Sequence, residues 1–245
     1  MNLFDEIICT LRLLEREISK AQGRLRYTAD SVGPWPAGGG RTIVMKTDTA
    51  RELGPPHTAS ASLLLWTEDP ALVNNGVIHI LGPDLIQMPE GAVPFGRAVV
   101  LCVRGMEHGN CHERHREMER ARFRVDLDGY MMRAVSQRGR EWSRISADAL
   151  ARGFSLAHLG AALARACAEL EYVTAVEVLF ITSGEEDVRR LGALGERASM
   201  VVGGMNKMYL DDALNCASCA YGDVCGAVEG LREMRKSIAG GRDHG

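Results

Sequence analysis

Three short apolar segments, separated by turn-forming sequences, constrain the fold of this chain most strongly. SLLLW lies around residue 64, GVIHIL spans residues 76–81 and RAVVLCV spans residues 97–103. Asp-Pro, Asn-Asn-Gly, Gly-Pro-Asp and Pro-Glu-Gly stand between them, and these combinations either fix φ or tolerate positive φ. The three segments predict a small sheet. A later apolar run, VTAVEVLFIT at residues 173–182, predicts a further buried strand.

Segments with helical periodicity surround these strands. Apolar residues recur at helical spacing from Leu3 to Ile18, and Gly23 ends the pattern. Further helices are predicted for residues 113–124, for a segment capped by Ser155, for residues 184–197 and for EGLREMRKSIA at residues 229–239. Helices and strands in this order predict an α+β fold.

The glycine- and proline-rich stretch SVGPWPAGGGR, residues 31–41, predicts an irregular connection. It lacks the Gly-Lys-Ser/Thr that opens the helix of a phosphate-binding loop, and it leads into RTIVMK, which resembles a strand. The chain is thus expected to divide into three parts. Residues 1–40 hold a helix and this connection, residues 41–212 form an α+β domain, and residues 213–245 form a cysteine loop and a final helix.

Composition narrows the class of function. The 245 residues carry a formal net charge of -3, with 46% hydrophobic and 25% charged residues, so the chain is neither a disordered tail nor a generally basic nucleic-acid binder. No apolar run approaches the ~20 residues that cross a bilayer, and the N-terminus does not resemble a signal peptide. Seven cysteines, an odd and uneven set, fit free thiols plus a metal site in a reducing compartment. We therefore expect a cytoplasmic protein that binds no nucleic acid and no membrane.

The segment NCASCAYGDVCGAV, residues 215–228, is the strongest candidate for a metal site. Cys216 and Cys219 are separated by two residues, and five more residues lead to Cys225. Such spacing lets two thiolates bind one metal or cluster edge from a turn while a short loop returns the third. An iron–sulfur cluster is favoured over zinc. The alternative is a group of buried or reactive free thiols, and the fourth ligand is not specified.

A resemblance to a known family is distributed in order along the chain. It covers residues from about 52 to 228, and it is carried by ELGPPHT (52–58), NGVIHILGPDL (75–85), MPEGAVPFG (88–96), RGM (104–106), MER (118–120), QRGREWSRISADALARGFSLAHLG (137–160), VTAVEVLFIT (173–182) and CGAV (225–228). These segments resemble the middle domain of acetyl-CoA synthase, the β subunit of the carbon monoxide dehydrogenase/acetyl-CoA synthase complex. The resemblance implies a mixed sheet with flanking helices and a shared ancestry.

The resemblance also implies a cofactor. In the family, a Cys-x2-Cys pair and two later cysteines hold the iron–sulfur cubane of a nickel active site. Cys216 and Cys219 match that pair, and Cys225 resembles the last ligand by its Gly-Ala-Val sequel, so a 4Fe-4S cluster is implied. One cysteine of the family pattern, and the catalytic domain with its nickel-binding Cys-x-Cys, have no counterpart here. We therefore expect no complete acetyl-CoA synthesis by this chain alone.

An arginine-rich segment occupies the region that the family links with coenzyme A. Where the family has a tryptophan, nine residues before the position of Trp142, this sequence has Arg133. Contacts to the phosphates of coenzyme A or an acyl-CoA, or to an acidic partner, are assigned to four candidates: Arg133, Arg138, Arg140 and Arg144. The alternative is a solvated helix face that neighbouring glutamates partly neutralise.

The segment EHGNCHERHRE, residues 107–117, belongs to this chain rather than to the family pattern. His108, Cys111, His112 and His115 would share one face if the segment were helical throughout. That face could bind zinc or nickel, or supply the missing fourth ligand of the cysteine site. Against this, Gly109 and Asn110 are poor helix-interior residues, and histidines among arginines often lie on a surface. HERH lacks the HExxH spacing of metalloproteases.

Three hypotheses of function follow from these patterns. The first is an accessory subunit of anaerobic one-carbon or acyl-CoA metabolism, which binds an iron–sulfur cluster and docks with a protein partner or as a homo-oligomer. The second is a subunit of an enzyme whose metal active site a partner chain completes, for example at an open iron. The third is a structural protein that zinc stabilises.

Overall fold

Two mixed β-sheets flanked by helices make up the part of the chain that the computed structural model describes, which is residues 2–39, 43–135, 139–210 and 219–242. The strands are β1 (Leu25–Thr28), β2 (Thr49–Leu53), β3 (Ser60–Thr67), β4 (Val77–Leu81), β5 (Gly91–Val93), β6 (Phe95–Val103), β7 (Tyr130–Val135), β8 (Glu141–Ser146) and β9 (Val173–Ile181). The α-helices are α1 (Asp5–Gln22), α2 (Cys111–Ala121), α3 (Ala147–Ala151), α4 (Leu156–Ala168), α5 (Glu185–Leu210), α6 (Gly222–Ala227) and α7 (Glu229–Arg242). The α+β class and the mixed sheet with flanking helices are confirmed.

The larger sheet contains every strand that the sequence predicts from its long apolar runs. Its order is β1-β4-β9-β6-β3, with β4 parallel to β9, β9 antiparallel to β6, and β6 parallel to β3. All residues of β4 and β6 are buried, because helices cover both faces of the sheet. On one face, Gly160 of α4 lets that helix approach Ile78, since a Cβ there would lie 2.7 Å from the isoleucine side chain. The other face carries α1 and α5.

The smaller sheet has the order β5-β2-β8-β7. A buried ion pair between Arg97 of β6 and Glu141 of β8 joins it to the larger sheet. Ser62 of β3 lies between these charges: its Oγ donates to Glu141 Oε2 over 3.1 Å and accepts from Arg97 Nη2 over 3.1 Å. The Ser60 hydroxyl donates a further hydrogen bond to the backbone carbonyl of Glu141. The two sheets are therefore fixed together by hydrogen-bonded charges rather than by apolar contacts alone.

A second buried charge network fastens α1 to the larger sheet. Arg12 donates to both carboxylate oxygens of Glu177 on β9, over 2.8 and 2.7 Å. Glu15 Oε1 lies 2.6 Å from His79 Nδ1 on β4 and 3.1 Å from Arg24 Nη1. Burial opposes the ionisation of Glu15, but its hydrogen bond and charge interactions with His79 and Arg12 outweigh burial and lower its pKa to about 2.

Several boundaries differ from the sequence-based expectation. RTIVMK was predicted to be a strand, but its described part, residues 43–46, forms none, and Lys46–Asp48 forms a 3₁₀ turn before β2. The helix predicted for residues 113–124 begins at Cys111, ends at Ala121 and continues as a 3₁₀ turn, so His108 precedes it. The helix predicted for residues 184–197 continues to Leu210 as α5. The division of the chain into three parts stays a prediction.

Glu15 gives the α1 network a measurable pH dependence. Its folded-state pKa lies below its ordinary value of 4.5, so its stabilising contribution is complete above that value and is lost as pH falls toward about 2. The free energy of unfolding of the natural chain should exceed that of Glu15→Gln. This difference should shrink by about 2 kcal/mol between about pH 6 and about pH 3 in urea titrations. A difference that stays constant over this range would contradict the assignment.

Candidate metal centre

Two of the three predicted cysteine ligands line one small cavity. Cys219 and Cys225 face a space of about 20 Å³, which Lys207 and Met208 of α5 and Arg235 of α7 also line. Cys225 is buried on α6, and Cys219 is half-buried before it. Cys216 lies outside the described residues. The spacing of Cys219 and Cys225 therefore brings both to the same place, at the end of α5.

Two glycines of α5 allow this close approach. A Cβ at Gly204 would lie 3.2 Å from Cys225 Sγ and 3.2 Å from Leu231 Cδ1. A Cβ at Gly203 would lie 2.4 Å from the ring of Tyr221, the residue that precedes α6. Helix interiors ordinarily disfavour glycine by about 1 kcal/mol relative to alanine. These glycines thus leave room for the segment between Cys219 and Cys225 to pack directly on the helix backbone.

The sulfur donors of this cavity are of the type that binds a metal or cluster, but a space of about 20 Å³ holds only one water-sized group and would have to widen for a cubane. Cysteine sulfur binds zinc and iron–sulfur clusters as the anionic thiolate. Lys207 and Arg235 line the same cavity and place positive charge beside the two sulfur atoms. The donor type therefore fits both a cluster and zinc, and the two described thiols make up part of either ligand set.

The histidine segment occupies a different environment. The His112 ring stacks on Tyr209 of α5 with centroids 4.4 Å apart, and the His115 ring stacks on Phe4 at 6.1 Å. Burial, with smaller contributions from the charges of Arg122 and His112, lowers the pKa of His115 to about 4. Burial also raises the pKa of the Cys111 thiol. The metal role predicted for His108, Cys111, His112 and His115 stays a prediction.

Another group of side chains consists of residue types that often bind metal ions. Within residues 2–39, 43–135, 139–210 and 219–242, Glu15, His79 and Glu177 bring three ligand atoms within 4.8 Å of one another. Arg12 already occupies both oxygens of Glu177, and the Asn74 backbone donates to Glu177 Oε2 over 2.7 Å. This group is the α1 anchor described above, and it has the contacts of an ion-pair network rather than of a metal site.

The predicted arginines divide between two places. Arg133 and Arg144 both lie over the Trp142 ring, at 5.1 and 5.6 Å, and Arg144 also pairs with Glu52. Arg140 donates to the backbone carbonyls of residues 56 and 58. Arg138 lies outside the described residues. The contact of these side chains with coenzyme A or an acyl-CoA stays a prediction.

Sequence reasoning missed a buried polar cluster beside the joint of the sheets. Arg122 Nη1 donates to Ser62 Oγ over 3.2 Å, and Tyr130 donates to Glu141 Oε1 over 3.3 Å. Burial lowers the pKa of Arg122, while it raises that of Glu119, its ion-pair partner. The available signal was a charged residue inside a predicted apolar strand, as at Arg97. Its partners are remote in sequence, so no pattern named them.

Comparisons with known proteins place the central part of the chain in a known family. Residues 35–188 match the family described as the CO dehydrogenase/acetyl-CoA synthase complex beta subunit. A relative, the acetyl-CoA decarbonylase/synthase complex subunit beta of Methanopyrus kandleri, is 30% identical over 138 residues, which are 55% of this chain and 28% of that protein. In the described part of the chain, no helix has the length and apolar character needed to traverse a bilayer.

The two mixed sheets with flanking helices define an α+β scaffold with a cysteine-lined cavity at one end. The chain belongs to the CO dehydrogenase/acetyl-CoA synthase complex beta subunit family, because that family's profile matches more than half of its length. The resemblance seen in the sequence is thereby confirmed. The chain spans little more than a quarter of the length of the curated relative that it matches.

Replacement of two α5 glycines should separate close packing from helix propensity. Gly203→Ala places a methyl group against Tyr221, whereas Gly195→Ala meets Leu63 Cδ2 only at 3.8 Å, an ordinary contact. We expect Gly195→Ala to raise the free energy of unfolding by up to about 1 kcal/mol and Gly203→Ala to lower it by about 1–3 kcal/mol. Denaturant titration of both variants provides the measurement. Equal stabilisation by both would show that Tyr221 does not pack on Gly203.

Proposed function

We propose that this chain is a β-subunit-like protein that binds an iron–sulfur cluster, of the 4Fe-4S type, through Cys216, Cys219 and Cys225. The observation that carries the proposal is the shared cavity of Cys219 and Cys225 beside Lys207 and Arg235. Cys216 completes the set by its spacing alone. Zinc is the alternative metal, and it would make the same loop a structural element.

The residues around the cysteine cavity have distinct roles in metal binding. The cysteine thiolates hold the metal, while Lys207 and Arg235 offset their charge and Gly204 leaves space for the Cys225 sulfur. A bound cluster would supply electron transfer or an iron that accepts a further ligand. The surrounding helices α5, α6 and α7 exclude water from the Cys225 side of the site, since Cys225 and Leu231 are buried.

The fourth ligand is proposed to come from outside this chain. Asp223 lines another cavity, next to residues 2–7 of the N-terminus, rather than the cysteine cavity. The rings of His112 and His115 stack on aromatic side chains. An open iron, or one that a partner fills, is therefore favoured.

A protein partner fits the relatives. The Methanopyrus kandleri relative is named as a subunit of a complex. We infer an accessory role, in which this chain docks with a partner of anaerobic one-carbon or acyl-CoA metabolism. An enzyme subunit whose site a partner completes is the second candidate. Catalytic turnover only in the presence of a co-purifying chain would favour that candidate, and its absence with the same chain bound would favour the accessory role.

Metal content of anaerobically purified protein tests the cluster. We expect iron and acid-labile sulfide in near-equal amounts, with Cys219→Ala or Cys225→Ala each losing most of both, because the remaining thiolates cannot hold a cluster. Cys9→Ala, at an exposed position of α1, is the matched control and should keep the full content. Iron, sulfide and zinc are measured together with the optical absorbance of the cluster.

Other outcomes of the same measurement decide between the alternatives. Stoichiometric zinc without iron would show that the site binds zinc rather than a cluster. Full metal content in Cys219→Ala and Cys225→Ala would show that these cysteines are not metal ligands. Loss of iron from a folded variant with both His108→Ala and His112→Ala would show that the fourth ligand lies within this chain. The variant keeps His115, whose side chain is buried.

A further inference from the structure

A large pocket opens beside the buried polar cluster, and neither Cys219 nor Cys225 lines it. Its volume is about 770 Å³, and it lies between the start of β3, the end of α2 with the following turn, and the middle of α5. Ser62, His115 and Arg122 contribute polar atoms to its lining, while Leu64, Phe123 and Val202 contribute apolar surface. Volumes of this size accommodate small organic ligands.

Two side chains that line this pocket carry buried nitrogens without a partner among the described residues. Arg122 is 7% exposed; it donates to Ser62 and pairs with Glu119, yet its Nε is buried with no hydrogen-bond partner among the described residues. His115 is 5% exposed, and its buried Nδ1 is equally without a partner in that part of the chain. Buried polar groups are rarely left unpaired, because each costs free energy when it loses water. Both side chains line the pocket, so an acceptor bound there would offer them a further hydrogen-bond partner.

The charge of the lining indicates the sign of that acceptor. The charged residues of the lining are Arg116, Arg122 and Glu119. Two positive charges and one negative charge leave a net positive charge. Behind the floor, Arg97 is paired with Glu141, but its Nε and Nη1 also lack a partner among the described residues. The guanidinium group matches carboxylate and phosphate oxygens in geometry. The pocket is thus built for an oxyanion.

The walls indicate the rest of the ligand. Leu63, Leu64, Val202 and Tyr221 line the pocket around the polar floor. A fully hydrated inorganic ion would leave this apolar surface in contact with water, whereas a short hydrocarbon chain would cover it. We propose that the pocket binds a small organic oxyanion, whose carboxylate or phosphate group contacts Arg122 and His115 and whose apolar chain lies against these walls.

This inference is independent of the proposed cluster. Tyr221 is two residues from Cys219, but neither Cys219 nor Cys225 lines the pocket. Loss of metal from the cysteine loop would leave Arg122, Ser62 and His115 in place on their own elements. Failure of one proposal therefore does not decide the other.

Calorimetric titration of the purified chain at constant ionic strength tests the pocket. The probes are hexanoate, hexyl phosphate, hexanol and hexylammonium, which share one apolar chain and differ in the head group. We expect at least one of the two oxyanions to bind at least about tenfold more tightly than hexanol, with hexylammonium weaker still. The tighter of the two oxyanions identifies the head group as carboxylate or phosphate.

Variants tie this binding to the pocket. Arg122→Gln should weaken oxyanion binding by about tenfold or more, because a charged hydrogen-bond donor is lost. Arg124→Gln removes the same charge from an exposed position of the same turn and should change affinity by less than about twofold. Ser199→Phe places a ring into the pocket from an exposed position of α5 and should block binding without disturbing the buried charges.

The proposal has clear contrary results. It is overturned if neither oxyanion binds at concentrations up to about 10 mM. It is also overturned if folded Arg122→Gln and Ser199→Phe bind as tightly as the natural chain. Should Arg122→Gln fail to fold, unchanged affinity in Ser199→Phe alone contradicts the proposal, and blocked binding in that variant supports it.

Discussion

The buried ion pair of Arg97 and Glu141 is the contact on which the arrangement of the two sheets depends. It connects β6 with β8, and Ser62 and Tyr130 complete its hydrogen bonds. Ions buried in this way recover their lost hydration only from each other and from such neighbours, so removal of one partner typically costs about 3–5 kcal/mol. The same contact positions Ser62 beside Arg122, which links the joint of the sheets to the floor of the proposed oxyanion pocket.

Helix α5 connects the two proposed sites. Its middle lines the oxyanion pocket, and its last two turns carry Gly203 and Gly204, against which Tyr221 and Cys225 pack. The cysteine loop therefore depends on the position of a helix that itself packs on β3 and β6. This packing is a physical reason why the two described thiols lie together at the end of α5.

Local patterns predicted much of the fold, and remote contacts account for what they missed. The runs GVIHIL and VTAVEVLFIT became central strands because continuous apolar sequence suits a strand that is covered on both faces. Cys219 and Cys225, which their spacing marked as ligands, line one cavity, and their metal role stays a prediction. RTIVMK misled because its described part, residues 43–46, pairs with no strand. Arg97 and Glu141 lie 44 positions apart in the sequence, and Glu15 and His79 lie 64 positions apart. No local pattern specifies such partners.

The cysteine loop of this β-subunit-like chain is proposed to hold an iron–sulfur cluster. Mössbauer spectroscopy of protein reconstituted anaerobically with ⁵⁷Fe is a decisive test, because the spectrum reports the ligands and coupling of iron itself. If the loop holds a cluster, most iron should give the signal of tetrahedral, sulfur-bound cluster iron, and Cys225→Ala should abolish this signal. Iron that is bound only by oxygen or nitrogen, and that is unchanged in Cys225→Ala, would contradict it.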